Sequence, residues 1–333
     1  MKIIVTGGNG YIGSHTVLEL LSAGHEVIII DDLSNSKPYV HQRLEKLGNQ
    51  KIPFYKTSVC DLDGLKKVKE SVGKIDGIIH FAAHLLVEES VLNPLKYYQN
   101  NIVGLLNILK VFGEDETCNF VFSSSCTVYG NPETLPITEK ESIKRALNPY
   151  GNTKRICEEI LEDFAKTNDS FKALSLRYFN PIGAHDSGEL GQDPIGEQVH
   201  LVPILAETAL AKRGALKIFG GDYPTADGSC IRDYIHVMDL ARAHVKAVSY
   251  LKNVKSNLSY EYLNVGSGCG YSVLEMKNAF EKATALKVPY EIVDRRAGDA
   301  AAVFADISLV KEKLDWYPEK KLEDMLHSAY FWS

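Results

Sequence analysis

The chain is short of the residues that build exported or metal-stapled scaffolds. Its 333 residues include six cysteines, and no two form a Cys-x-x-Cys pair. This excludes a disulfide framework or a zinc ribbon and points to reduced thiols in a cytoplasmic protein. Apolar runs are short: none approaches the ~18 residues of a membrane span. Met1-Lys2 leads directly into a strand pattern, not into a secretory leader. There is no basic block, and the formal net charge is −6, so nucleic acid is not an expected partner. His80 and His84 lie four apart without an acidic or Cys companion, so no metal site is expected. There is no internal repeat and no low-complexity linker. What is present is a chain that is 45% hydrophobic, enough for a substantial core in one large or two smaller domains.

In the first half, short apolar runs alternate with longer amphipathic stretches. Strands are predicted at 2–6, 26–30, 53–57, 77–80, 119–123 and 173–176, and helices at 11–22, 61–71, 94–112 and 149–167. Pro94 and Pro149 suit first-turn positions. Strands joined by long crossovers imply a parallel α/β sheet, doubly wound, with ligands at the carboxyl ends of its strands. After Asn180 the texture changes. Residues 181–200 read as an ordered loop and 201–213 as a helix. A strand at 217–219 precedes a helix at 235–247, a strand at 262–265, a helix at 272–286 and a strand at 288–293. A larger unit of 1–177, with 231–265 returning to it, is expected to interleave with a smaller C-terminal unit of 178–230 and 266–333.

The glycines of Gly7-Gly8-Asn9-Gly10-Tyr11-Ile12-Gly13 fall where the first strand meets the first helix. Gly7 permits a tight turn, Gly10 lets backbone approach a pyrophosphate, and Gly13 lets helix pack on strand. The N–H groups of a helix N-terminus favour that anion. Asp31 closes the second strand, where a carboxylate accepts hydrogen bonds from a ribose and repels a 2′-phosphate. NAD is therefore expected over NADP, a preference that Asp32 reinforces.

Tyr150 and Lys154 stand one helical turn apart in Pro149-Tyr150-Gly151-Asn152-Thr153-Lys154, with Ser125 upstream in Phe122-Ser123-Ser124-Ser125-Cys126-Thr127. A free Tyr titrates near ~10. An ammonium at i+4 favours phenolate, and a pKa near 7 would need ~4 kcal/mol of differential stabilisation. Lys154 and an oxidised nicotinamide together are expected to supply it. Tyr150 then removes a hydroxyl proton while hydride leaves the same carbon, with Ser125 holding that hydroxyl. Arg232 and Arg296 are candidates for substrate phosphates, because a guanidinium fork binds two oxygens at once. An ordinary salt bridge is the competing reading for each. Asn180 and Phe219 are candidates for the nucleotide side, with core packing the alternative for Phe219.

The stretches Gly7-Gly8-Asn9-Gly10-Tyr11-Ile12-Gly13-Ser14-His15, Ser123-Ser124-Ser125-Cys126-Thr127-Val128-Tyr129-Gly130, Leu176-Arg177-Tyr178-Phe179-Asn180-Pro181 and Arg232-Asp233-Tyr234-Ile235-His236-Val237 resemble, in order and over nearly the full length, the UDP-glucose 4-epimerase family. That family lies among the extended short-chain dehydrogenase/reductases. The resemblance implies a Rossmann domain holding NAD, a UDP-hexose substrate, a transient 4-keto sugar and a homodimer. It assigns catalysis to Ser125, Tyr150 and Lys154. Around the cofactor it implies Gly7, Gly10, Tyr11, Ile12 and Gly13, then Asp31, Asp32, Asn35 and Ser36. Ser58, Val59, Phe81, Ala82, Ala83, Asn100, Ser123 and Tyr178 join Tyr150 and Lys154 there. Around the substrate it implies Asn180, His200, Leu201, Lys217, Phe219, Arg232, Arg296, Asp299 and Val303, beside Ser125 and Tyr150.

Related dehydratases carry an Asp-Glu pair where this chain has Cys126-Thr127, which disfavours elimination. Related decarboxylases carry Glu at the position of Thr127. Four positions depart from many epimerases: Ser58 stands for Asp, Leu85 for Lys and His200 for Asn. Val303 replaces the Tyr of several glucose-restricted members and leaves room near the sugar's 2-position, so UDP-N-acetylhexosamines are expected as further substrates. A UDP-pentose or UDP-uronate 4-epimerase is the alternative enzyme, and an NAD-sensing regulator without chemistry is the alternative of a different class.

Overall fold

The computed structural model describes residues 1–332 apart from 115–117, 145, 255–257 and 297–298. In chain order the first half runs β1 (Lys2–Thr6), α1 (Tyr11–Ser22), β2 (Glu26–Asp31), α2 (Tyr39–Leu47), β3 (Phe54–Lys56), α3 (Leu62–Val72), β4 (Gly77–His80), α4 (Val87–Leu92), α5 (Pro94–Tyr97), a π-helical turn (Tyr98–Val103), α6 (Gly104–Phe112) and β5 (Cys118–Ser125). The second half runs α7 (Pro149–Thr167), β6 (Phe171–Tyr178), β7 (Asn180–Ile182), α8 (Leu201–Ala209), β8 (Leu216–Phe219), β9 (Ile231–His236), α9 (Val237–Asn253), β10 (Tyr260–Val265), β11 (Gly270–Ser272), α10 (Val273–Thr284), β12 (Tyr290–Val293), β13 (Ala302–Val303), α11 (Ser308–Leu314) and α12 (Leu322–Trp332).

Among the described residues, seven strands form one sheet in the order β10-β6-β5-β4-β1-β2-β3. Every pairing in it is parallel. The doubly wound α/β sheet expected from the sequence is therefore present. Alternation along the strands explains its two covered faces. Ile3, Val5, Val27 and Ile29 belong to one core cluster, and Ile4, Ile28, Ile30 and Ile78 to the other. The order reverses between β1 and β4, which puts a crevice beyond their carboxyl ends.

The smaller sheets gather the rest. β9 pairs with β11, β13 and β7, while β12 pairs with β8. Residues 231–236, expected to return to the large unit, instead form this central strand, because Ile231, Arg232 and Asp233 take their partners from β11 and β13. A third cluster, including Ile182, Val202, Leu205, Ile218, Phe280 and Leu326, packs beneath these sheets.

Local signals set several boundaries. Asn148 caps α7, its side chain accepting from Gly151 N, and Pro149 fills the first turn. Ser272 and Glu275 form a capping box at α10. The single helix expected over 94–112 is interrupted. A π-helical turn inserts at Tyr98–Val103, where the buried Asn101 side chain also bonds to residues outside the turn. It donates to His84 O and Thr153 Oγ1 and accepts from His84 N.

Candidate active site

β1 delivers its chain into a turn that only glycine fits. Gly7 has φ +68°, and a Cβ there would lie 2.8 Å from Ala82 N, across the β1/β4 switch point. A Cβ on Gly13 would lie 2.2 Å from Gly7 O. Gly10 caps α1 with no side-chain hydrogen bond, and the first turn, including Tyr11 and Ile12, carries no acidic residue. Its N–H groups are left for an outside acceptor. The Asn9 amide is buried, and its Oδ1 and Nδ2 have no hydrogen-bond partner among the described residues.

Asp31 closes β2 beside this turn. Its Oδ2 accepts from Asn9 N at 3.0 Å, and its Oδ1 from Leu33 N and Ser36 Oγ, each at 2.9 Å. Burial raises its pKa, opposed by those donors. Asp32 Oδ1 accepts from Ser34 N at 2.9 Å, and Asn35 Oδ1 from Ile195 N at 3.3 Å. A glycine cradle, uncapped helix N–H groups, an orphan buried amide and a carboxylate one strand over together fit a dinucleotide with an unphosphorylated ribose.

The other residues implied for the cofactor follow the same sheet edge. Ser58 and Val59 lie just beyond β3, and Ser58 Oγ accepts from Cys60 N at 3.2 Å. Phe81, Ala82 and Ala83 follow β4, with the Phe81 ring 4.7 Å from that of His244. Asn100 occupies the π-helical turn and donates to Asn101 Oδ1 at 3.0 Å. Ser123 is on β5, and Tyr178 ends β6, where their hydroxyls share a hydrogen bond.

Ser125 is the last residue of β5. Its Oγ accepts from Thr127 N at 3.2 Å and Thr127 Oγ1 at 2.9 Å, so its own proton is left to donate. Lys154 is buried and donates to Ser123 O at 2.6 Å, with its Nζ 5.9 Å from the centre of the Tyr150 ring. The fold thus brings Ser123, Ser125, Tyr150, Lys154 and Tyr178 together.

Within the protein alone Tyr150 stands far from phenolate. Burial pushes its pKa up to about 12, against the hydrogen bond of Ser125. Burial also draws Lys154 down to about 8, opposed by Cys157 and Glu158.

The substrate-side candidates stand on the smaller sheets. Arg232 on β9 donates to Ile231 O and Ala300 O, each at 2.8 Å, and pairs with Asp299 at 3.3 Å. Val303 lies opposite it in register on β13. The Arg232 charge opposes the burial that pushes the Cys126 thiol, next to Ser125, up to about 12. Asn180 donates to Asp233 O at 2.9 Å. The Arg296 guanidinium lies 3.8 Å from the centre of the Phe219 ring and 3.5 Å from Glu88. His200 caps α8, Leu201 begins it, and Lys217 is exposed on β8. Gly298, which stands between Arg296 and Asp299 in Arg295-Arg296-Ala297-Gly298-Asp299 and as a glycine would allow close approach, lies outside the described residues.

Sequence reasoning missed three buried residues around this set: Asn101, Glu158 and Arg177. Arg177 was visible in the Leu176-Arg177-Tyr178 stretch, but nothing in the sequence paired it with Glu158.

Fold and site define the class: an extended short-chain dehydrogenase/reductase. The family model for GDP-mannose 4,6 dehydratase matches residues 4–329. The UDP-glucose 4-epimerase of Drosophila melanogaster is 44% identical, aligned over 99% of this chain and 95% of its own. A solved UDP-glucose 4-epimerase from Stenotrophomonas maltophila, with bound NAD and formylated UDP-arabinopyranose, superposes with a TM-score of 0.95 at 41% identity, covering 100% of this chain and 97% of that one. Its counterpart from Bifidobacterium longum, in complex with NAD+ and UDP, gives 0.94 at 41%, covering 100% and 98%. The chain belongs to the UDP-glucose 4-epimerase family.

Proposed function

We propose that the protein interconverts UDP-glucose and UDP-galactose, inverting the sugar at C4. The observation that carries this reading is the gathering of Ser125, Tyr150 and Lys154 at the strand edge that also presents the glycine cradle and Asp31. Gly7, Gly10, Tyr11, Ile12, Gly13, Asp31 and Ser36 would hold NAD, with Lys154 and Tyr178 toward its nicotinamide end. Bound NAD supplies the acceptor and donor of hydride. Tyr150 Oη takes the proton of the sugar 4-hydroxyl and later returns it, while Ser125 Oγ donates to the same sugar oxygen. Inversion needs the keto sugar to turn over between the two proton transfers. Binding must therefore concentrate on UDP, through Arg232, Arg296 and Asn180, and leave the hexose loosely held.

Val303, a small side chain opposite Arg232, supports a wider sugar pocket that also takes UDP-N-acetylglucosamine and UDP-N-acetylgalactosamine. The division into a larger NAD unit and a smaller sugar unit is part of the same reading. So is assembly as a homodimer, which the exposed apolar side chains Val91, Leu92, Leu95 and Val103 on α4 to α6 support. The six cysteines, scattered along the chain without a Cys-x-x-Cys pair, support a cytoplasmic location.

The test is incubation of purified protein with UDP-galactose and no added cofactor, with products resolved by nucleotide-sugar chromatography. UDP-glucose is the expected product. Unchanged UDP-galactose, with NAD present in the denatured protein, would overturn the reading.

A further inference from the structure

Below the reacting groups, α7 carries a second polar residue on the face that holds Lys154. Glu158 is buried one turn further on, and its carboxylate is gripped by Arg177 of β6. Arg177 Nη2 donates to Glu158 Oε2 at 2.6 Å, and Nε donates to Oε1 at 3.0 Å. Ser124 Oγ, next to Ser125, donates to the same carboxylate. Arg177 Nη1 reaches Tyr129 Oη at 3.1 Å, and Tyr129 in turn donates to Asn264 Oδ1 at 2.7 Å. The guanidinium is covered by the Tyr262 ring, 3.7 Å from its centre. The pair thus touches α7, β5 and β6, each within one residue or one helical turn of Lys154, Ser125 or Tyr178.

We propose that Glu158 and Arg177 are a positioning pair for the reaction: they lock α7 against the Ser125 strand, and the Glu158 carboxylate keeps Lys154 charged in its buried place. The inference rests on the proposed epimerase reading for its catalytic meaning. Its electrostatic core is independent of that reading.

Burial works against the Lys154 ammonium, and the charged or polar groups facing it are few. On its own helix these are Tyr150, Cys157 and Glu158. From β4 comes His80, whose imidazole burial draws down to about 3 and which is therefore neutral. From β5 come Ser123 O and the Phe122 ring, the latter 4.9 Å from Nζ. Among these, Glu158 is the carboxylate, one helical turn beyond Lys154 on the same face of α7. Arg177, whose own charge Glu158 stabilises, holds that carboxylate in place by donating to both of its oxygens.

The test is the titration of Lys154 by NMR in protein labelled at lysine Cε, with its resonance identified by its loss in Lys154→Met. In Glu158→Gln the midpoint should fall by about one pH unit. Arg177→Lys keeps both charges and should leave the midpoint in place while lowering the melting temperature. Should Glu158→Gln fail to fold because it strands the Arg177 charge, Glu158→Gln/Arg177→Met removes both charges, and its midpoint should still fall, by less. The alkaline limb of the kcat profile should move with the midpoint. A midpoint unmoved by loss of the Glu158 carboxylate would overturn the proposal, leaving the pair as packing only. A wild-type protein without epimerase activity would count against the functional reading, and the titration would still decide the pairing.

Discussion

The glycine turn permits a prediction that separates what the protein needs for itself from what it needs for its coenzyme. Replace Gly13 by Ala, and the new Cβ lies 2.2 Å from Gly7 O and 3.0 Å from Gly8 Cα. An ordinary contact, which begins near ~3.4 Å, requires more than about 1 Å of movement. Both obstacles are backbone, so no side chain can swing aside. Overpacking of this kind costs ~1–3 kcal/mol, partly offset by ~0.5–1 kcal/mol from the better helix propensity of Ala. A net loss near ~1–2 kcal/mol corresponds to roughly 1.5–3 °C in melting temperature for a chain of this size. Gly10→Ala differs. Its Cβ meets only Gly7 O, at 3.2 Å, a tight contact that a shift of a few tenths of an ångström relieves, and its backbone is extended (φ −70°, ψ 173°), a conformation open to any residue. The stripped protein should melt within ~1 °C of wild type, yet its methyl group occupies the approach to the free N–H groups of α1, so copurified NAD should fall sharply. The assay is melting of the stripped proteins with and without added NAD, together with quantitation of NAD released on denaturation. Two results would refute the reasoning: wild-type NAD content in Gly10→Ala, or a wild-type melting temperature in stripped Gly13→Ala.

The remaining predictions concern the chemistry. Tyr150→Phe should keep NAD and lose ~10²–10⁴-fold in kcat, and near-normal turnover would remove Tyr150 as the proton carrier. Because the fold alone holds Tyr150 near about 12, every nearby cation matters for bringing it into the working range. Lys154→Met should shift the acid limb of the kcat profile to higher pH and abolish an alkaline limb near the lysine's own value of about 8. An unchanged profile would contradict the tuning role. Val303→Tyr should cut turnover of UDP-N-acetylgalactosamine by at least ~10-fold while sparing UDP-galactose, and a wild-type enzyme that ignores the acetylated sugar would defeat the idea outright.

Much of this molecule is legible before any coordinates. The helices of Tyr11–Ser22 and Pro149–Thr167 lie where periodicity, glycine and proline place them, and the strand ends carrying Gly7, Asp31, Phe81, Ser125 and Tyr178 share one edge because all seven strands run parallel. What was lost depended on distant partners. The helix expected over 235–247 begins at Val237 instead, because Ile231–His236 forms a strand that it owes to β11, β13 and β7. The π-helical turn at Tyr98–Val103 follows from Asn101 bonding to residues far along the chain, and no local pattern announces it. At the site, residue types were readable but their environments were not. Spacing set Lys154 beside Tyr150 but did not show that burial is the largest influence on each, raising the phenol and lowering the ammonium.

The edge strand β10 has a consequence for biosynthesis. It joins the seven-stranded sheet alongside β6, from Tyr260 opposite Ala173 to Val265 opposite Tyr178, and its Tyr262 ring covers the Arg177 guanidinium. On the ribosome, six strands of that sheet emerge long before the seventh. Until residue 265 leaves the exit tunnel, the nascent chain carries an unzipped strand border and an uncovered ionic knot beneath the catalytic helix. A fragment cut after Tyr178 would keep that border permanently and be prone to edge-to-edge association.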